Sequence, residues 1–185
     1  MLTRKKAYTK LTQLVKNQNL IRHCLAVEAA MLEYAKKFGI TDPKELEKWA
    51  IAGLIHDADW EAYPDKHPKV ILEWLKEQGA SEDIINAVAA HGPEFGVKPK
   101  TLMAKTLRAV DEVTGFIVAV ALVKGRSLDN VSVESVLKKW KKKDFARGVD
   151  RAFVEQSAKE LGVELSEHIE TVLKAMKSIK EQLGL

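Results

Sequence analysis

The stretch from Ile51 to Pro68, IAGLIHDADWEAYPDKHP, sets the strongest constraint on how this chain folds. An apolar run with helical spacing stops at His56-Asp57, and a third metal-capable side chain, His67, follows. A buried helix that ends on an imidazole beside a carboxylate offers one nitrogen and one oxygen ligand from a rigid support, so both can be aimed at one cation. An HD dipeptide alone says little. It gains weight from His23 in an earlier helical stretch, His91 in AAHGP and Asp111 in LRAVDEVTGF. A carboxylate among Leu107, Val110 and Thr114 in an apolar helix is costly unless it is paired or coordinated, which makes Asp111 the most informative single carboxylate.

Almost every other segment has helical spacing, and the expected fold class is an all-α bundle without strands. Leu2 to Lys16 reads as a basic amphipathic helix, and Asn19 caps a second one from Leu20 to Phe38 that carries His23 inward and ends at Gly39. Asp42, Pro43 and Glu45 start the helix that leads to His56-Asp57, where Gly53 lets another backbone pass close by. Ala58 to Lys66 is a loop, followed by helices over His67 to Gln78 and Glu82 to Ala90. The longest helix opens at Pro99 and Thr101 and reaches Lys124 and Gly125. Three more are expected over Val131 to Trp140, Phe145 to Leu161 and Ser166 to Leu183.

The order His23, His56-Asp57, His67, His91, Asp111 resembles that of the HD-domain metal-dependent phosphohydrolases, and LIHDADWEAYPDKHP and DEVTG resemble a less characterised branch of that family. The resemblance covers a metal-site core at about 20–125, and the chain's length suggests a single HD-type helical domain over 1–185 with a C-terminal helical extension at about 126–185. The resemblance also implies a ligand set. His23, His56, Asp57 and Asp111 close around one divalent ion, and the second oxygen of Asp57 reaches another held by His67 and His91. His56 and Asp57 are the catalytic pair. Mixed imidazole and carboxylate donors suit one or two ions of manganese, iron, cobalt, nickel or zinc. The implied activity is hydrolysis of a phosphomonoester or phosphodiester of a small, nucleotide-like substrate by a metal-activated hydroxide. The same four histidines and two aspartates also match HD-fold di-iron oxygenases. A third reading is a non-catalytic, metal-stabilised module that binds nucleotides or RNA.

Around the ligands, Lys66 and Arg108 are candidate substrate-phosphate contacts, with surface charge as the alternative. Asp59 and Glu61 supply a proton to a leaving group, hold a histidine ligand, or are solvated loop carboxylates. Trp60 and Tyr63 either stack on a base or, as the default reading, anchor the loop by packing. His168 reads as a partly exposed helix residue outside the site. The run KKWKKKDFARGVDR at 138–151 reads as a solvated basic face before a nucleic-acid lip, so nucleic acid is the less favoured partner.

Composition bounds the setting. A formal charge of +4 and a pI near 9.0 suit anionic substrates. A single cysteine, Cys24, excludes an internal disulfide framework, the N-terminal stretch lacks a secretory apolar core, and Phe116 to Val123 falls far short of the roughly 20 residues that span a bilayer. The expected setting is cytoplasmic and away from membranes, and the helical surface is large enough to pair with a second copy.

Overall fold

The computed structural model describes residues 2–185, and among them the secondary structure is helical throughout. Helix α1 (Arg4–Leu14) starts at Thr3, whose hydroxyl accepts from Lys6 N. Helix α2 (Gln18–Lys37) is capped by Asn17, not Asn19, because Asn17 Oδ1 reaches the Asn19 amide at 2.9 Å. Helix α3 (Pro43–Ile55) has the expected Asp42 cap on Glu45 N. Gly53 is where α2 and α3 meet most closely: a Cβ there would stand 2.8 Å from Glu28 Cα. Only glycine fits that approach.

After α3 the chain turns through residues 56–63 and a short 3-10 segment, Pro64–Lys66. Helix α4 (Lys69–Glu77) begins later than expected, so His67 stands in extended backbone ahead of Pro68. Glu61 is a clamp, accepting from the amides of Lys16 and Asn17 at 3.1 and 2.9 Å and tying this turn to the α1–α2 junction. Helix α5 (Glu82–Ala89) stops just before His91, and α6 (Leu102–Val123) starts at a Thr101 cap. With Met103, Leu107, Val110, Phe116, Ile117 and Val120 all buried, α6 is the hub on which α2, α5 and the C-terminal helices pack.

The C-terminal helices are α7 (Val133–Trp140), α8 (Arg151–Glu160), α9 (Leu165–Ser178) and the single turn α10 (Lys180–Leu183). Helix α8 is shorter than the expected Phe145–Leu161, because Asp150 accepts from Phe153 N at 3.0 Å and caps it. Residues 141–149 therefore form a loop, pinned by Arg151, whose guanidinium donates to the carbonyls of Trp140, Lys142 and Phe145 and lies over the Phe116 and Trp140 rings. One cation of the basic run is thus structural.

His168 on α9 is fully buried rather than partly exposed. Its Nε2 lies 2.8 Å from the Ala109 carbonyl, which can only accept, so Nε2 carries the proton and Nδ1 accepts from the Tyr34 hydroxyl at 2.6 Å. These two bonds join α9 to α6 and α2. Apolar spacing alone did not reveal it, because the partners come from distant segments.

Burial lowers His168 to about 4; the Ala109 carbonyl acts against this and Lys37 adds to it. The unfolded imidazole titrates near 6.5, so between those values the unfolded chain binds more protons and folding stability falls as pH falls. The stability tied to neutral His168 is complete above about 6.5 and lost as pH drops through about 4. Urea unfolding at pH 7 and pH 5 should show wild type losing on the order of 2 kcal/mol more than His168→Gln across that interval. Equal losses would refute the buried neutral assignment.

Candidate metal centre

The six side chains of the sequence pattern meet in one cleft, carried there by five different parts of the fold. His23 comes from α2, His56 and Asp57 from the end of α3, His67 from the strap before α4, His91 from the end of α5, and Asp111 from α6. Their placement is set by what holds the far side of each imidazole. His56 Nδ1 donates to the Gly53 carbonyl at 2.8 Å and His91 Nδ1 to the Val88 carbonyl at 2.6 Å. Both carbonyls sit three residues back, where a helix end leaves them free. His67 Nδ1 donates to Asp59 Oδ1 at 2.6 Å, and the other oxygen of Asp59 accepts from Ile71 N. His23 Nδ1 lies 3.4 Å from the Thr114 hydroxyl, which itself donates to the Asp111 carbonyl.

With each Nδ1 proton engaged, every Nε2 turns a lone pair toward the carboxylates. Asp111 Oδ1 is 3.0 Å from His23 Nε2 and 3.5 Å from His56 Nε2. Asp57 divides its oxygens. Oδ2 is 3.7 and 3.4 Å from the Nε2 atoms of His23 and His56, and Oδ1 is 3.4 Å from those of both His67 and His91. Two ligand groups result, His23 with His56 and Asp111, and Asp57 with His67 and His91, each with donor atoms within 4.8 Å of one another.

The donor set fits a divalent cation. His56 Nε2 is buried without a hydrogen-bond partner, and His67 Nε2 faces His91 Nε2 at 3.2 Å. Acceptors turned on acceptors in a buried site are unfavourable until positive charge lies between them. Electrostatics point the same way. Burial lowers the His56 imidazole, but Asp57 and Asp111 outweigh it and hold it well above the ordinary range. Burial raises both carboxyls, yet His56 and its neighbouring imidazoles hold Asp57 and Asp111 well below theirs.

The cleft opens into a cavity of about 290 Å³, walled beyond the ligands by Trp60, Glu94, Glu112, Val149 and Phe153. Trp60 stands edge-on to His67, with ring centroids 5.2 Å apart. Of the other expected residues, Asp59 is fully buried and orients His67, whereas Lys66 is exposed on the 3-10 segment. Arg108 lies behind the wall, its guanidinium 4.9 Å over Phe153, and neither cation lines the cavity. Sequence reasoning missed Val149 and Phe153, which come from the C-terminal segment and carry no motif. It also missed Glu112, whose only signal was its place beside Asp111.

Comparison with known proteins is consistent with this geometry. The HD domain family matches residues 20–115. Among similar curated proteins, Ribonuclease Y of Nitratidesulfovibrio vulgaris is 32% identical over 103 residues, covering 54% of this chain and 18% of the relative. Ribonuclease Y of Opitutus terrae is 27% identical over 173 residues, 89% of this chain and 30% of the relative. That of Alkaliphilus metalliredigens is 27% identical over 154 residues, 79% and 29%. The matched part of the chain spans less than a third of the length of these relatives. No solved structure matches significantly.

Metal content by elemental analysis after manganese loading tests the centre. Asp57→Ala should lose bound metal, because both groups draw on that carboxylate. Asp59→Asn should weaken binding about 10- to 100-fold by freeing His67. Lys142→Ala should keep its metal, and full retention by Asp57→Ala would show that Asp57 is not a ligand.

Proposed function

The chain belongs to the HD-domain family, and from that premise we propose that it is a metal-dependent phosphohydrolase acting on a phosphomonoester or phosphodiester of a nucleotide-like substrate. The observation that carries this reading is Asp57, whose two oxygens face two separate histidine pairs from the floor of an open cavity. His23, His56, Asp57 and Asp111 would hold one divalent cation, and Asp57, His67 and His91 a second. Manganese, iron, cobalt, nickel and zinc suit such donors. When bound, such a pair supplies positive charge opposite the developing charge on a phosphoryl group and acidifies water.

The chain's own side chains do the rest. The backbone carbonyls of Gly53 and Val88 and the carboxylate of Asp59 fix the imidazole tautomers, so no reorganisation is needed when substrate arrives. Trp60 and Phe153 give the cavity two aromatic walls, a surface on which a nucleobase stacks. Gly92 and Pro93 close the side next to His91. The name borne by the relatives, Ribonuclease Y, favours a phosphodiester over a monoester. Among the described residues no helix is long and apolar enough to cross a membrane.

The test is product release from a panel of nucleotides, dinucleotides and short RNAs by protein loaded with manganese, cobalt, nickel or iron. At least one substrate should be hydrolysed in a metal-dependent way, and Asp57→Ala should retain under about one-hundredth of the rate. Substrate-dependent oxygen uptake without hydrolysis would replace this reading with an oxygenase.

A further inference from the structure

A second cavity, of about 330 Å³, adjoins the catalytic one and shares His23 and Gly115 with it. The two lie along one groove between α2 and α6. On α6, Asp111, Gly115, Val118 and Leu122 recur at helical spacing and form one stripe, about 16 Å long at 1.5 Å per residue. On α2, Arg22 stands next to His23 and faces the second cavity. Arg126, just beyond the end of α6, lines it as well. Neither guanidinium makes a hydrogen bond or ion pair among the described residues.

Three observations make this cavity part of substrate recognition. First, the wall of the catalytic cavity holds no lysine or arginine, and Glu94 and Glu112 add negative charge to it. Arg22 and Arg126 line the adjoining cavity, which shares His23 and Gly115 with the first. Second, Arg126 has φ 58°, a left-handed conformation that costs a non-glycine residue on the order of 1 kcal/mol. Backbone geometry favours glycine there, yet the position carries an arginine that lines the cavity. Third, Gly115 sits inside a helix, where glycine costs about 1 kcal/mol relative to alanine, yet a Cβ there would meet nothing within 4 Å. Neither φ nor packing calls for a glycine at this position. Gly115 lines both cavities, and the space over it is open.

We propose that the second cavity is a subsite for the next nucleotide of a phosphodiester substrate, with its phosphate on Arg22 and Arg126 and its base or sugar against Val118, Leu122 and Leu183. This rests on the hydrolase reading of the neighbouring cleft and deepens it. The substrate class becomes a dinucleotide or an oligonucleotide end that crosses Gly115. Each cavity lies at the lower end of the roughly 300–1,000 Å³ range of ligand sites, the scale of one nucleotide apiece. Paired guanidiniums suit a phosphate by their planar donor geometry.

The experiment is isothermal titration of manganese-loaded full chain with a 5′-phosphorylated, phosphorothioate-linked dinucleotide. Arg22→Gln combined with Arg126→Gly, which relieves the left-handed backbone, should bind at least tenfold more weakly than wild type. Gly115→Leu, which fills the junction while improving helix propensity, should do the same with no drop in melting temperature. Absence of binding by wild type, or affinity of the double variant within twofold of it, overturns the subsite. Hydrolysis of bis(4-nitrophenyl) phosphate by the same wild-type protein reads the parent function separately. If that is absent while the dinucleotide still binds through Arg22 and Arg126, hydrolysis fails and the subsite stands.

Discussion

Asp57 is the interaction on which the rest of the site depends. It lies in the turn that ends α3, with one carboxylate oxygen toward His23 and His56 and the other toward His67 and His91. Four imidazoles and two carboxylates share so small a space only with positive charge among them, a proton on His56 or a metal ion. The fold supplies the rigidity that holds them there against repulsion. Gly53 lets α3 pack tightly on α2, and α6 brings Asp111 and Thr114 under His23. The outer bonds from Gly53, Val88 and Asp59 then decide which nitrogen of each ring faces inward.

Much of this was legible in the sequence, for physical reasons. Helix starts at Asp42-Pro43 and Thr101 carry their own capping chemistry, so α3 and α6 were readable from local residues. The clustering was readable because a carboxylate such as Asp111 within an apolar helix demands a partner. What failed were positions decided by distant segments. His168 looked like a surface residue until Tyr34 and the Ala109 carbonyl closed around it. Helix α8 was read too long because Arg151 pins the carbonyls of Trp140, Lys142 and Phe145, an interaction with no periodic signature. The histidine-orienting position of Asp59, one of three open readings from the sequence, follows from a contact eight residues along the chain.

The C-terminal helices, which carry no motif, finish both cavities. Val149 and Phe153 wall the one that opens from the histidine–aspartate cluster, and Leu183 borders its neighbour. Their buried residues, Val154, Ile169, Val172 and Met176, lie in the same apolar cluster as those of α2 and α6. Packing of α8 and α9 on α6 therefore shapes the space above the ligands as well as stabilising the hub. Arg108, stacked over Phe153 from behind, belongs to this support.

The most direct measurement is anomalous X-ray diffraction from crystals of the manganese-loaded chain. The expected result is anomalous density on both sides of Asp57, one feature within about 2.0–2.3 Å of His56 Nε2 and the other equally close to the Nε2 atoms of His67 and His91. Manganese bound elsewhere, with those Nε2 atoms left uncoordinated, would contradict a shared carboxylate at the centre of the site.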